Sequence, residues 1–266
     1  MNVDVIHQRT MAESTDRQYT NRLVAFIDIL GFSQMVADAE QVNRIFDAVV
    51  QLDEYTAGFL KNAILDQQTR IDDPQYSFFS DCVVVSCADV PHNYELFFNY
   101  LATLSYTMIE SGILIRGGVT LGPLIHDARV MFGGGMIKAY KLESGLAVYP
   151  RIVIDDKLVK IVSQMPEQWY DRNGVRVRGA DARGHIRQDF DGMWFIDFLR
   201  MWWMGAEIDF TRSWIKKHIG KIIADAPTVQ NVPAKIKWLA NYASQSAVDT
   251  AKEFEIQIRD PFDKDG

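Results

Sequence analysis

The stretch Arg22–Val36, "RLVAFIDILGFSQMV", runs five apolar residues into an aspartate and then turns apolar again. A continuous apolar run bounded by polar residues suits a central strand, Arg22–Ile29, covered on both faces. A carboxylate at the end of such a strand either caps a following helix or holds a positive charge. The reading of the whole chain turns on which of these Asp28 does. After Gly31 the pattern becomes helical, with Val42, Ile45, Phe46 and Val49 on one face.

Further along, "YSFFSDCVVVSC" (76–87) reads as two short strands meeting near Ser80 and Asp81. Phe97, Leu101, Leu104 and Met108 mark a helix, and "GILIRGGVTLG" (112–122) marks a strand whose glycines predict a bulge or a close backbone approach. "FGGGMIKAYKLES" opens on glycines and becomes helical, "YPRIVID" is a further strand, and "DGMWFIDFL" is a candidate additional one. This alternation predicts a mixed sheet with helices packed on one side. From residue 203 the chain reads as helices. Ile215, Ile219, Ile222 and Ile223 share one face; after a start signal at Asn231–Pro233, Ile236, Leu239 and Ala243 share another. The expected organisation is an N-terminal arm (1–20), a main domain (21–202) and a C-terminal helical extension (203–266), whose last residues should fray.

Composition narrows the function. A length of 266 residues suffices to bury roughly 70–75% of the unfolded chain's surface. The net charge of −7 opposes attraction to phosphate backbones, which disfavours a nucleic-acid reader. Cys82 and Cys87 are an odd number of residues apart in one strand-like run, so they should face opposite ways and stay reduced. The longest greasy stretch, "GMWFIDFLRMWWMG", is too short to span a bilayer and carries Asp197 and Arg200. These features predict a soluble protein in a reducing, cytoplasmic setting, with no membrane partner.

Asp28 and Asp81 both stand where an apolar strand ends or turns. On neighbouring strands their carboxylates would approach each other, at a repulsion of about 4 kcal/mol for charges about 4 Å apart at an effective dielectric near 20. A fold tolerates that if one acid stays protonated or a cation sits between them. Carboxylates with a backbone carbonyl make a hard oxygen site suited to Mg²⁺ or Mn²⁺. The plainer alternative has Asp28 capping the helix after Gly31 and Asp81 filling a turn. Arg116, inside an apolar strand, needs an anion, either a phosphate or one of the same aspartates. Gly31 and the Gly133–Gly135 run could admit phosphate oxygens to backbone N–H groups, or be plain turns. Other sites are excluded. "GGVTLGPL" has Pro-Leu where a P-loop needs Lys-Ser/Thr, the five histidines are scattered, and no G-x-S-x-G elbow occurs. The tryptophans at 194, 202, 203, 214 and 238 read as core packing around the helical tail.

Taken in order, "FIDILGF", "SD", "RGGVTLG" and "FGGGMIKAYKLES" resemble the catalytic domain of class III nucleotide cyclases over roughly residues 22–155. The match is closest to the bacterial pyrimidine cyclases of Pycsar antiphage defence, through "RGG", "AYKLES", "YPRIVID", "DFDGMWFID" and "KIKWLANYAS". The resemblance implies an α+β fold with a ferredoxin-like cyclase core, its mixed sheet mainly antiparallel, and two divalent ions, Mn²⁺ or Mg²⁺, on Asp28, Asp81 and the carbonyl of Ile29. It implies that Gly31, Phe32 and Ser33 cradle the outer phosphates of a nucleoside triphosphate and that Arg116 contacts them. It also implies a head-to-tail homodimer with composite active sites. Two positions depart from the pattern: Ile137 stands at the family's Asn, and Lys141 at its Arg, keeping the charge but losing the planar fork. The positions that select a purine fall near Ser77 and Val130, neither of which reproduces an adenine or guanine reader. The implied function is a uridylate cyclase making 3′,5′-cyclic UMP from UTP, with the product acting on a separate effector. The alternatives are a cytidylate cyclase acting on CTP, or an inactive nucleotide-binding sensor on the same fold.

Overall fold

The computed structural model describes residues 17–65, 71–166, 169–172, 175–178, 182–200, 208–225 and 232–253. Outside these lie most of the expected N-terminal arm, the boundary at 202–203 with Trp202 and Trp203, Asn231 of the helix start signal, and the C-terminal segment.

Strand β1 (Thr20–Ile29) is followed by a short helix α1 (Phe32–Val36) and a long one, α2 (Val42–Leu65). The hairpin β2 (Gln75–Phe79) and β3 (Cys82–Ala88) comes next, then helix α3 (Pro91–Glu110) and strand β4 (Ile115–His126). These four strands stand in the order β2-β3-β1-β4, every neighbouring pair antiparallel. That is the split βαβ, ferredoxin-like arrangement expected from the sequence. β1 sits at its centre. The two-residue β5 (Met131–Phe132) pairs with β4, and helix α4 (Gly134–Leu146) follows.

Beyond β4 the sheet grows by β6 (Ile152–Ile154), which runs parallel to β4, and then by β10 (Trp194–Ile196) and β9 (Ile186–Gln188). Helix α5 (Asp156–Ser163) and a separate hairpin, β7 (Trp169–Arg172) with β8 (Val175–Arg178), lie between. Helices α6 (Ile208–Ala224) and α7 (Val232–Glu253) close the described chain. The architecture is thus α+β with an antiparallel-rich sheet. No helix among the described residues is long and apolar enough to cross a membrane.

The pleat of β1 sorts its side chains. Leu23, Ala25, Ile27 and Ile29 join the main core with residues of α2 and α3 such as Leu52, Phe97, Leu101 and Leu104. Val24 and Phe26 point to the other face, against Val84, Leu124 and Ala139 of α4. Helices therefore cover both faces, not one as the sequence pattern predicts. The pattern also misleads on α2: Val42 and Phe46 are exposed, and the helix buries Ala48, Leu52, Thr56 and Leu60 instead. The two cysteines behave as expected; both are free, Cys87 in the main core and Cys82 on the opposite side beside the second cluster. Trp214 and Trp238 are buried, as core packing requires.

Two glycines of β4 explain why α4 lies so close. A Cβ on Gly118 would stand 2.4 Å from the Ala139 carbonyl oxygen and 2.5 Å from Leu142 Cβ. One on Gly122 would stand 2.9 Å from Gly135 Cα. Close backbone approach, not a bulge, is the reason for these glycines. Gly118→Ala is expected to destabilise the fold by about 1–3 kcal/mol, the usual cost of overpacking. Gly145→Ala, in α4 with nothing within 4 Å, should be neutral or stabilise by up to about 1 kcal/mol. Urea denaturation of both variants checks the contrast, and equal losses would contradict the packing account.

Candidate active site

Asp28 occupies the last turn of pleat in β1, on the same face as Val24 and Phe26, directly opposite Cys82 of β3 and Arg116 of β4. Asp81 stands in the β2–β3 turn, next to Ser80, whose φ of 57° lets the chain reverse there. The turn is tied to the end of β1 by the Ile29 N–H donating to the Asp81 carbonyl at 3.3 Å. Two acids 53 residues apart in sequence thereby meet: a carboxylate oxygen of each and Cys82 Sγ all lie within 4.8 Å of one another. Cys82 Sγ is 3.6 Å from Asp28 Oδ1 and 3.8 Å from Asp81 Oδ1.

Arg116 completes the group. Its Nε and Nη2 donate to Asp28 Oδ2 at 3.2 and 3.1 Å, and Nη2 also lies 2.7 Å from Glu143 Oε1 of α4. Glu143 is buried under the close helix–strand packing and shares its face of α4 with Gly135 and Ala139. Glu143 lies within "AYKLES", whose resemblance to the cyclase pattern gives it no role. The available signal is its position four residues after Ala139, on the face that α4 turns to the sheet.

The electrostatics follow from this crowding. Burial, the hydrogen bond shared with Asp81 and that residue's charge push the Asp28 carboxyl up to about 7, although Arg116 pulls the other way. Burial likewise raises Glu143, opposed by Arg116, and raises the Cys82 thiol further through the nearby carboxylates. Cys82 is therefore a protonated thiol in this setting, and the donors on offer are hard carboxylate oxygens. They fit a divalent cation of the Mg²⁺ or Mn²⁺ kind, which when bound would favour the ionised form of Asp28 against its burial and the charge of Asp81. Lys235 of α7 is lowered by its own burial and by the charge of Arg116, placing a further cation in the neighbourhood.

The other expected residues are distributed differently. Gly31 adopts the left-handed region at φ 86° and caps α1, its carbonyl accepting from Gln34 and Met35. Phe32 packs on the main core and Ser33 is exposed beside it. Lys141 and Ile137 are exposed and one turn apart on the outward side of α4, and no described contact joins Lys141 to the aspartates of its own chain. Ser77 Oγ is bonded to His126 Nε2 at 3.0 Å, while His126 Nδ1 meets Ser86 Oγ at 2.8 Å and that hydroxyl accepts from Arg22 Nε at 2.9 Å. Burial and then Arg22 lower His126 to about 4, so the network holds a neutral imidazole. Val130 is exposed.

A cavity of about 610 Å³ lies elsewhere, between the β9–β10 hairpin and α7, with Asp189, Phe195, Trp238 and Tyr242 in its wall. Its strongest polar groups are already satisfied by one another: Trp238 Nε1 donates to Asp189 at 2.6 Å, and Tyr242 to Asp197 at 2.6 Å. The convergent, frustrated charges are at Asp28, and that is the candidate site.

No family model and no curated protein matches this sequence. Among solved structures the chain is similar to the adenylyl cyclase CyaB from P. aeruginosa, at 16% identity over 68% of this chain and 93% of that one, with a TM-score of 0.40. It is similar to the catalytic core of a rhodopsin-guanylyl cyclase with converted specificity, solved with ATPalphaS, at 15% identity over 68% and 97% and a TM-score of 0.43. It is also similar to an adenylate/guanylate cyclase/hydrolase from Silicibacter pomeroyi, at 14% identity over 68% and 98% and a TM-score of 0.42.

The raised Asp28 acid carries a testable sign. Its native value of about 7 lies above the ordinary 3.8, so it favours the fold fully below about pH 4 and loses that contribution as pH rises through about 7. In EDTA-treated protein, Asp28→Asn is expected to flatten the fall in thermal midpoint between about pH 5 and pH 8. Melting curves across that range check it; an undiminished fall in the variant would show the acid is not frustrated.

Proposed function

We propose that this chain is a nucleotide cyclase, with UTP as its substrate and 3′,5′-cyclic UMP and pyrophosphate as its products. The observation that carries this reading is the meeting of Asp28 and Asp81 beside Arg116, a cation-binding carboxylate pair with an anion-binding guanidinium at its edge. The ordered motifs that resemble class III cyclases support it, because the residues matched there as metal ligands are the ones that converge.

In the proposed reaction the ribose 3′ oxygen attacks the α-phosphorus in line. The bond from that phosphorus to the bridging oxygen breaks, pyrophosphate leaves, and the 3′ proton passes to solvent. Divalent cations, when bound, supply Lewis acidity that eases loss of this proton and offsets phosphate charge. Asp28 and Asp81, with the Ile29 carbonyl, would hold them. Arg116 would orient the phosphates, and the turn at Gly31, Phe32 and Ser33 would enclose them. Little covalent work is left to the protein, so positioning and charge dominate.

The exposed place of Lys141 suits a composite site, in which it would serve a second copy rather than its own aspartates. Ile137, Tyr140, Phe132 and Phe79 are also exposed, apolar area that a head-to-tail homodimer would cover. A pyrimidine is favoured because Ser77, bonded to His126, and the exposed Val130 present neither a lysine nor a carboxylate to a purine edge. The likeness to Pycsar cyclases supports a pyrimidine triphosphate, with UTP our choice and CTP the close second, and a messenger role in antiphage defence. A second reading has its own motive: Ile137 offers no polar group where cyclases carry Asn, as a nucleotide-binding sensor without turnover would.

Mass spectrometry of products from an equal mixture of ATP, GTP, CTP and UTP with Mn²⁺ separates these readings. Cyclic UMP is the expected product, cyclic CMP would move the substrate, a cyclic purine would sink the pyrimidine reading, and no product would leave the sensor. Asp28→Ala and Asp81→Ala should each keep the native circular dichroism while turnover falls at least ~10²–10³-fold. Undiminished turnover in both would remove the site.

A further inference from the structure

Arg116 is held from two sides, and the two holds are unequal. Toward Asp28 it makes two aligned hydrogen bonds to one oxygen, Oδ2. Toward Glu143 it makes a short contact of charge, 2.7 Å from Nη2 to Oε1, yet no aligned donor reaches that oxygen. The Glu143 side chain is only 3% exposed, so water does not readily fill the place. A buried carboxylate oxygen with an open lone pair, already within reach of a guanidinium, is a second seat for it.

The first seat conflicts with the proposed function, on which this inference rests. Arg116 now occupies Oδ2 of Asp28, and a divalent cation on that carboxylate would bring like charge against the guanidinium. Arg116 would then be driven from Asp28, and the other carboxylate it already touches is Glu143. That carboxylate is fixed by backbone packing, since Gly118 brings the Glu143 amide nitrogen to within 2.9 Å of where a Cβ would stand.

We propose that Glu143 is a positioning residue that receives Arg116 when a divalent cation takes Asp28, keeping the guanidinium at the edge of the site with its other donors free for substrate phosphates. Glu143 thereby lowers the cost of cation binding without touching the cation.

Mn²⁺ binding by the full chain without nucleotide, read from the electron paramagnetic resonance of the free ion, tests this apart from activity. Glu143→Asp keeps the charge and shortens the reach, so it should weaken Mn²⁺ binding about 5-fold or more, whereas in an Arg116→Gln background the same change should shift binding less than about 2-fold. A charge effect at a distance predicts no change from Glu143→Asp in either background, and a purely structural role predicts the same loss in both; either result overturns the proposal. Should Glu143→Asp not fold, Glu143→Gln keeps the shape and must show the same dependence on Arg116. If the wild-type chain itself binds no Mn²⁺ saturably, the metal-dependent reading falls first and this proposal with it. If the wild type binds and only the dependence on Arg116 is missing, the role of Glu143 alone is lost.

Discussion

Asp28 lies opposite Cys82 on one side and Arg116 on the other because β1 pairs antiparallel with both neighbours, and a pleated strand sends alternate side chains to opposite faces. The same parity that buries Leu23, Ala25, Ile27 and Ile29 against α2 and α3 sends Val24, Phe26 and Asp28 toward α4. A slip of one residue would turn the apolar set toward the smaller α4 face and carry Asp28 into the main core. Burial of the four odd-numbered side chains thus holds the register, and the register holds the site. The chemistry is secured by hydrophobic packing on the face it does not use.

The second constraint is the thinness of the layer between β4 and α4. Gly118 and Gly122 let helix backbone rest on strand backbone, and the shared face of α4 then delivers Glu143 to Arg116. A buried acid, Glu143, and a half-buried one, Asp28, end up in contact with one guanidinium, with Asp81 brought in by a turn. Such a cluster is electrostatically frustrated: burial raises Asp28 and Glu143 while Arg116 lowers both. Frustration of this kind is expected where a protein must bind a charge it does not itself contain.

The C-terminal helices are integral to this arrangement. Arg151, fully buried, ion-pairs with Asp189 and Asp191 and lies over the rings of Tyr149, Phe195 and Trp238. Its carbonyl accepts from the N–H of Gly117, the residue after Arg116. Trp238 comes from α7, so the helical segment closes an aromatic box around a cation whose backbone braces the candidate site. A lone Arg in "YPRIVID" gives no hint of this, because its two acids come from "DFD" some forty residues later.

Elements with strong periodicity were legible from the chain alone. The run from Leu23 to Ile27, the stripe of Phe97, Leu101, Leu104 and Met108, and the break at Ser80-Asp81 each declare local structure, because strand and helix repeats are written in consecutive residues. The identity of Asp28, Asp81 and Arg116 as residues in need of partners was equally plain, since charges beside apolar runs are costly unless paired. Which partners they found was not. That Glu143 joins Arg116, that α4 covers the second face, that Lys141 stays away from its own aspartates, and that Phe46 is exposed all depend on how elements stack. Stacking is set by contacts between residues far apart in sequence, summed over whole faces, and no local pattern encodes that sum. Strand and helix repeats and the charges in need of an answer are local properties of the chain; the groups that answer them are set by how whole faces stack.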